Sequence, residues 1–526
     1  MIDSAPAAVR RRLLLPGQYG PAFDDGGPVV VVEAREFFTA RPVHRTKAHL
    51  WLSALRHRVR DLGERAEHVR VDHLRDALVG QDDLEVIDPP SRVQRGQVRH
   101  WGHGTTILPS RGFVTDEDEF AGWAAERGGR FLMEAHYERV RRREGWLMAN
   151  DAPLGGAFSL DAQNRQPPPR GATTLGLPDP WWPTEDEVDD EVRADLDRWE
   201  RDGLVQFVGR DDRRRFAVTP DEAQAALDDF VAVRLGDFGP YEDAVLTNDW
   251  TMAHSLLSVP LNLGVLDPRQ AIDAALAAHA SGAAPLASVE GFVRQVAGWR
   301  DYVWHLYWWL GDDYGADVEA LGARPAPGAR PPAGARPSAG TRPPAGAGPV
   351  HPAGTGLPAW WRELDATEVD AVCLTVALDG VRDHGWLHHI QRLMVLGNWA
   401  LQRGYDPLEL TEWFTDVFVD GTDWVMPANV IGMSQHADGG VVATKPYASG
   451  GRYIDRMTDH CGGCRFDPTT RLGEDACPFT AGYWAFLERA EPALRRNPRM
   501  HRPLQQMRAM PDLAAVVAQE AARQTP

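Results

Sequence analysis

Cys461 and Cys464 are separated by two glycines, and Cys477 follows in the same stretch, CGGCRFDPTTRLGEDACPFTAGYW. Together with Cys373 they are all the cysteines of the chain. Two thiolates on one tight turn, a third close behind and a fourth from elsewhere make the ligand set of a zinc site or an iron–sulfur cluster; spacing alone does not choose between them. Gly462 and Gly463 would let the backbone fold closely around a bound centre. A second group of reactive side chains lies in DHGWLHHIQRL, where His384, His388 and His389 bring imidazoles suited to proton transfer near neutral pH. Read alone, the same run also suits the wet face of a helix.

These residues need a scaffold. PVVVVEA (28–34) is a β-branched run that reads as a buried strand, and LLLPG before it reads as a first strand. Residues 44–66 follow with helical spacing of Leu50, Leu55 and Val59, and VRVDHL and LEVIDPP read as further strands. Strand–helix–strand alternation predicts a parallel α/β, Rossmann-like domain over 1–125. Residues 126–220 form a connector of helices and loops, and 221–526 is all-α. Within the last, Thr219 caps TPDEAQAALDDFVAVRL with Glu222 three residues on, and SVEGFVRQVAGWRDYVWHLYWWL starts at an N-cap serine, Ser288. The Pro/Ala/Gly/Arg repeat at 322–356 cannot bury a core and is expected to be a disordered insertion within the helical domain.

Bulk properties set limits. The 526 residues, 43% of them hydrophobic, suffice for two or more globular cores. A net charge of −19 does not favour nucleic-acid binding, although a local groove can still be basic. No apolar run reaches the ~20 residues of a membrane span, and MIDSAPAAVRRRLLLPGQYG is not a signal peptide. With so few cysteines, the expectation is a soluble, cytoplasmic protein without membrane partners.

Several longer stretches carry a specific resemblance: HSLLSVPLNLGVLDP (254–268), EGFVRQVAGWRDYVWHLYW (290–308), HHIQRLMVLGNWAL (388–401), ANVIGMSQHADGG (428–440), TKPYASGGRYIDRMTDHCGGCRFDP (444–468) and GEDACPFTAGYW (473–484). They resemble the iron–sulfur bacterial cryptochromes and photolyases, also called photolyase-related proteins, over nearly the whole chain. The resemblance implies an α/β domain followed by an all-α FAD-binding domain. It implies a [4Fe–4S] cluster on Cys373, Cys461, Cys464 and Cys477. His254, Ser255, Leu256 and Ser258 match the segment that meets the FAD phosphates; Gln295, Trp299 and Arg300 match the helix beside the flavin; Asp370 and Arg392 match positions that flank it. His388 and His389 match the lesion-side histidines of the (6-4) type, Tyr447 and Tyr453 the tyrosines lining the lesion pocket, and Trp413 an electron-relay tryptophan. Lys445 and Arg456 would meet phosphates of UV-damaged duplex DNA. The implied activity is light-driven repair of (6-4) photoproducts by a monomer, with a cryptochrome-like photoreceptor as the alternative.

The chain also departs from the family pattern. Met426-Pro427-Ala428-Asn429 stands where the family carries Glu-Leu-Pro-Asn, so a glutamate near the flavin ring is replaced. Asp365 stands where the family has an aromatic residue, and Phe414 follows Trp413 where tyrosine is common; Trp360, Trp361, Trp386 and Trp399 are possible substitutes. The family antenna is a ribityllumazine. Glu33, His44 and Lys47 are kept, but Pro16-Gly17-Gln18 and Asp88-Pro89-Pro90-Ser91-Arg92 replace family antenna motifs.

Overall fold

The computed structural model describes residues 10–128, 132–311, 314, 350, 355–523 and 525–526. The 322–356 repeat lies almost entirely outside the described residues.

Short apolar runs build the first unit. Strands β1 (Arg11–Leu14), β2 (Val29–Ala34), β4 (Ala66–Val71), β5 (Leu84–Ile87) and β6 (Thr106–Leu108) form one sheet in the order β4-β2-β1-β5-β6. All its pairings are parallel, with Arg12 opposite both Val29 and Glu85. Val29 to Val32 are buried on both faces, which is why this strand reads as a continuous β-branched run. The short strand β3 (Val43–His44) pairs with Phe207–Val208 of the connector.

Helix α1 (Arg45–Leu62) starts where His44 Nδ1 accepts from the Thr46 amide. Leu50 and Leu55 face the sheet, as their spacing predicts. The opposite side, with Leu52, packs on Val192 and Leu196 of the helix Glu187–Arg201. Sandwiched in this way, α1 buries polar side chains that must pair: Arg56 meets Glu33 at 2.7 Å, and His49 lies 3.1 Å from Asp189.

The rest is helical. Thr219 accepts from the Glu222 amide, as expected of an N-cap. Ser288 does not cap its helix, which begins at Leu286; its hydroxyl donates to Gly236 O and accepts from the Gly239 amide, tying two helices together. Four stretches are π-helical among the described residues: Phe230–Arg234, Arg294–Arg300, Gln391–Gly397 and Ala428–Ser434. Such bulges mark functional sites, and these carry Gln295, Trp299, Arg300, Arg392 and Asn429. A separate core of Trp361, Leu374, Leu378, Trp413 and Phe479 holds the buried Cys373 and Cys477. Among the described residues no helix is long and apolar enough to cross a membrane.

Candidate functional site

All four cysteines line one cavity, together with His460, Ile454, Phe466 and Phe479. Cys373 arrives at the start of the helix Val372–His384, Cys461 and Cys464 from the turn His460–Gly463 and its end, and Cys477 immediately before the helix Pro478–Leu494. No disulfide joins them. Burial and the other three sulfurs push the Cys373 thiol well up, and burial with Asp455 takes Cys461 up to about 12. Thiolates here therefore need a cationic centre among them. A single tetrahedral zinc would draw its sulfurs to about 3.8 Å apart. Among the described residues no three cysteine sulfurs lie within 4.8 Å of one another. The closest backbone approach is not at Gly462 or Gly463, whose Cβ positions are open, but at Gly451, where a Cβ would lie 2.7 Å from Cys477 Sγ.

A second cavity is lined by Arg215, Arg234, His254, Ser255, Leu256 and Trp181, among others. Leu256 has φ +55°, a conformation that branched and bulky residues rarely adopt. Buried His254 Nε2 and Arg234 Nε have no protein partner there. Arg234 Nε, a second arginine and a hydroxyl suit a phosphate-bearing ligand, while the neutral His254 ring, bonded at its other nitrogen to the Ala244 backbone, offers an acceptor. Trp386 Nε1 donates to Ser258 Oγ at 3.4 Å.

Arg392 lies beyond this cleft, from its π-helical stretch, and makes a bidentate pair with Asp420 at 2.8 and 3.0 Å over the Phe418 ring. Asp370, like Arg392, was matched to a position that flanks the flavin. It instead pairs with Arg465 on the surface, three residues before Cys373, and is more than half exposed. Asp420 is the carboxylate that pairs with Arg392, and the sequence reading had not singled it out. Gln295 donates to Glu242, Trp299 is half-buried and packs on Tyr302, and half-buried Arg300 donates to the Gly112 and Leu261 carbonyls between Phe113 and Trp424. Arg300 therefore ties the α/β unit to the helices.

The histidine pair opens on the other side. His388 is buried and stacks on His254, centroids 3.9 Å apart and planes at 14°. Burial, with His254 and His389 beside it, holds His388 well below the usual imidazole range, so it is neutral. His389 is 53% exposed, and its Nε2 lies 3.3 Å from Asp243 Oδ1. Burial works against the Asp243 carboxylate, but His389 and Arg165 keep its pKa low. Tyr447 and Tyr453 pack with Val245, Ile390 and Met394 on this wall, and burial plus Asp243 raises Tyr453 to about 12. His384 faces away, stacked on Trp250 at 4.6 Å.

A family model of deoxyribodipyrimidine photo-lyase-related proteins matches residues 20–204. The chain is 34% identical to a (6-4) photolyase of Agrobacterium fabrum over 484 residues, 88% of this chain and 86% of that protein. It belongs to the photolyase-related family. A bacterial class III photolyase from Agrobacterium tumefaciens has the same fold, with TM-score 0.51 and 14% identity over 96% of this chain and 99% of that one. A mimivirus protein of uncharacterised function, R855, is 41% identical over 54 residues, 10% of this chain and 44% of that protein.

In this photolyase-related chain the departures from the family pattern take structural form. Asp365 is an exposed turn residue, bonded to Thr367. Trp361, fully buried, packs on Trp413 at 5.4 Å, and Trp360 lies 5.7 Å beyond it. Trp413, Trp361 and Trp360 thus run in ring contact from the Phe418 side outward. Trp399 sits apart, against Phe479. Met426 is buried in the cysteine-side core.

The sheet order reverses at β1 and β5, where α/β folds place ligands. Here Gln18 Nε2 crosses that crevice to Ile87 O at 2.7 Å, Glu33 is held by Arg56 and His68, and Lys47 Nζ donates to Gly421 O at 2.9 Å. Ser91 donates to Asp423, and Arg92 lies 3.9 Å over the Tyr307 ring. These polar groups, in the segment expected to match the family's antenna site, bond to other parts of the protein.

Proposed function

We propose that this protein repairs (6-4) photoproducts in UV-damaged duplex DNA, driven by light through a bound FAD. The arrangement of His388, His389 and Asp243 beside Tyr447 and Tyr453 carries this reading. It places a neutral imidazole, a solvent-facing imidazole with a carboxylate partner and two phenols on one wall. The relative named as a (6-4) photolyase supports it.

His254, Ser255, Leu256 and Ser258, with Arg215 and Arg234, would hold the FAD phosphates, and Arg392 with Asp420 would flank its ring system. When bound, FAD supplies one electron to the lesion under blue light. His389, held by Asp243, gives a proton to the departing oxygen as the bonds between the two bases rearrange. Tyr447 and Tyr453 line the space for the flipped bases, whose unstacking costs less at a damaged site. Exposed Lys445 and Arg456 on the same rim are placed for DNA phosphates. Cys373, Cys461, Cys464 and Cys477 would hold a [4Fe–4S] cluster that ties the helix starting at Val372 to the C-terminal lobe.

A photoreceptor reading draws on one observation, the buried Met426 in place of an acid, since a thioether cannot relay a proton to a flavin. His389→Ala separates the two. The variant should keep FAD and lose repair by roughly 10²–10⁴-fold, the usual worth of a general acid. Undiminished repair would remove the role given to His389.

A further inference from the structure

Lys47 is one of two lysines in a chain that otherwise carries its positive charge on arginine. It is 7% exposed. From the first turn of α1, in the α/β unit, it reaches the end of the helix Pro407–Val417 in the helical unit. Its Nζ donates to Thr415 O and, at 2.9 Å, to Gly421 O. A carbonyl at a helix end needs a donor from outside the helix. The Val419 amide, which would reach back to Thr415 in a continuing helix, donates instead to Gly385 O at 2.8 Å. Gly421 closes the turn so tightly that a Cβ there would lie 2.6 Å from Thr415 O and 2.9 Å from Phe418 O.

The turn carries Asp420. The Asp420 carboxylate makes its bidentate pair with Arg392, and its backbone carbonyl accepts from Asn262 Nδ2 at 2.9 Å. The Asp420 and Gly421 carbonyls are therefore each fixed by a side chain, one from the helical unit and one from the α/β unit. His44, three residues before Lys47, donates to Val381 O in the helix Val372–His384. The start of α1 thus grips two helix ends. Asp416, Asp420 and Asp423 face the Lys47 ammonium from the helical unit and Arg41 from its own side; burial nonetheless lowers its pKa from 10.5 to about 8.

We propose that Lys47 is a positioning residue for the flavin: it holds the Thr415–Gly421 turn, keeps Asp420 on Arg392, and so lets the α/β unit set how tightly the helical unit grips the FAD ring system. This rests on the reading of Arg392 and Asp420 as a flank of that ring system. It gives the α/β unit a part in flavin binding that is independent of an antenna.

The test measures FAD dissociation from the full chain by the return of free-flavin fluorescence. Lys47→Met keeps the stem and removes the charge and the donors; it should weaken FAD binding about tenfold, the usual worth of a hydrogen bond to a charged group. A loss of general packing would add to other losses, so the second arm uses Asp420→Asn. Acting through Asp420, Lys47→Met should cost much less in the Asp420→Asn background than in wild type. The third arm needs no variant and decides the question if Lys47→Met does not fold. Wild-type FAD affinity should fall as pH rises through about 8, where the ammonium becomes an amine that donates weaker bonds. Equal affinity in Lys47→Met and wild type, or an equal cost in both backgrounds, overturns the assignment. So does a wild-type affinity that stays flat through that pH where the third arm decides. Wild-type protein that takes up no FAD overturns the reading of the cleft and the role of Lys47 with it.

Discussion

His389 Nε2 lies 3.3 Å from Asp243 Oδ1, on the open side of a wall whose closed side is the His254–His388 stack. The carboxylate orients one imidazole toward solvent while its neighbour stays neutral and dry. Asp243→Asn should therefore leave FAD content intact and lower light-driven repair by roughly ten- to a hundredfold, less than loss of the acid itself. Repair undiminished in Asp243→Asn would reduce Asp243 to a packing role.

The Trp413–Trp361–Trp360 contacts predict how the flavin is reduced. Trp361→Phe should slow light-driven flavin reduction with an external thiol, followed by absorbance, while Asp365→Asn should leave it unchanged. Equal rates in Trp361→Phe and wild type would exclude Trp361 from the path.

The four converging thiols predict a shared loss. Cys464→Ser should release the iron and lower the melting temperature, because metal binding and folding of this lobe are linked. The same variant with full iron content would show that Cys464 is not a ligand.

His44 makes docking of the two units sensitive to acid. Its Nε2 donates to Val381 O at 2.8 Å and its Nδ1 accepts from Thr46, so the neutral ring is fully satisfied and burial lowers its pKa from 6.5 to about 4. Between those values the unfolded chain binds the extra proton. Its contribution is therefore complete above pH 6.5 and declines as pH falls toward 4, by on the order of 3 kcal/mol. Melting temperatures across this range should flatten in His44→Gln relative to wild type; parallel curves would contradict the assignment.

Much of this arrangement was legible in the sequence wherever residue type alone sets the chemistry. The cysteines could be read because little else uses four sulfurs in that pattern, and the parallel sheet because β2 is apolar on both faces. Partners chosen by tertiary contact could not be read. Asp420 is 28 residues from Arg392 and Asp243 is 146 from His389, and neither distance follows a helical or strand period. Asp370 looked placed for the flavin by its position in the motif, but Arg465 holds it at the surface. Trp361 was one of several aromatic candidates until its ring was seen against Trp413.

The most direct measurement is repair of a defined (6-4) photoproduct in duplex DNA by chemically reduced, FAD-loaded protein, with a cyclobutane dimer as control. Chemical reduction bypasses the tryptophan path, so the result reports the wall of His388, His389, Tyr447 and Tyr453. The account predicts that the (6-4) product disappears in light and persists in darkness. Persistence of the lesion in light, with FAD bound and reduced, would contradict it and leave a flavoprotein that senses light without repairing DNA.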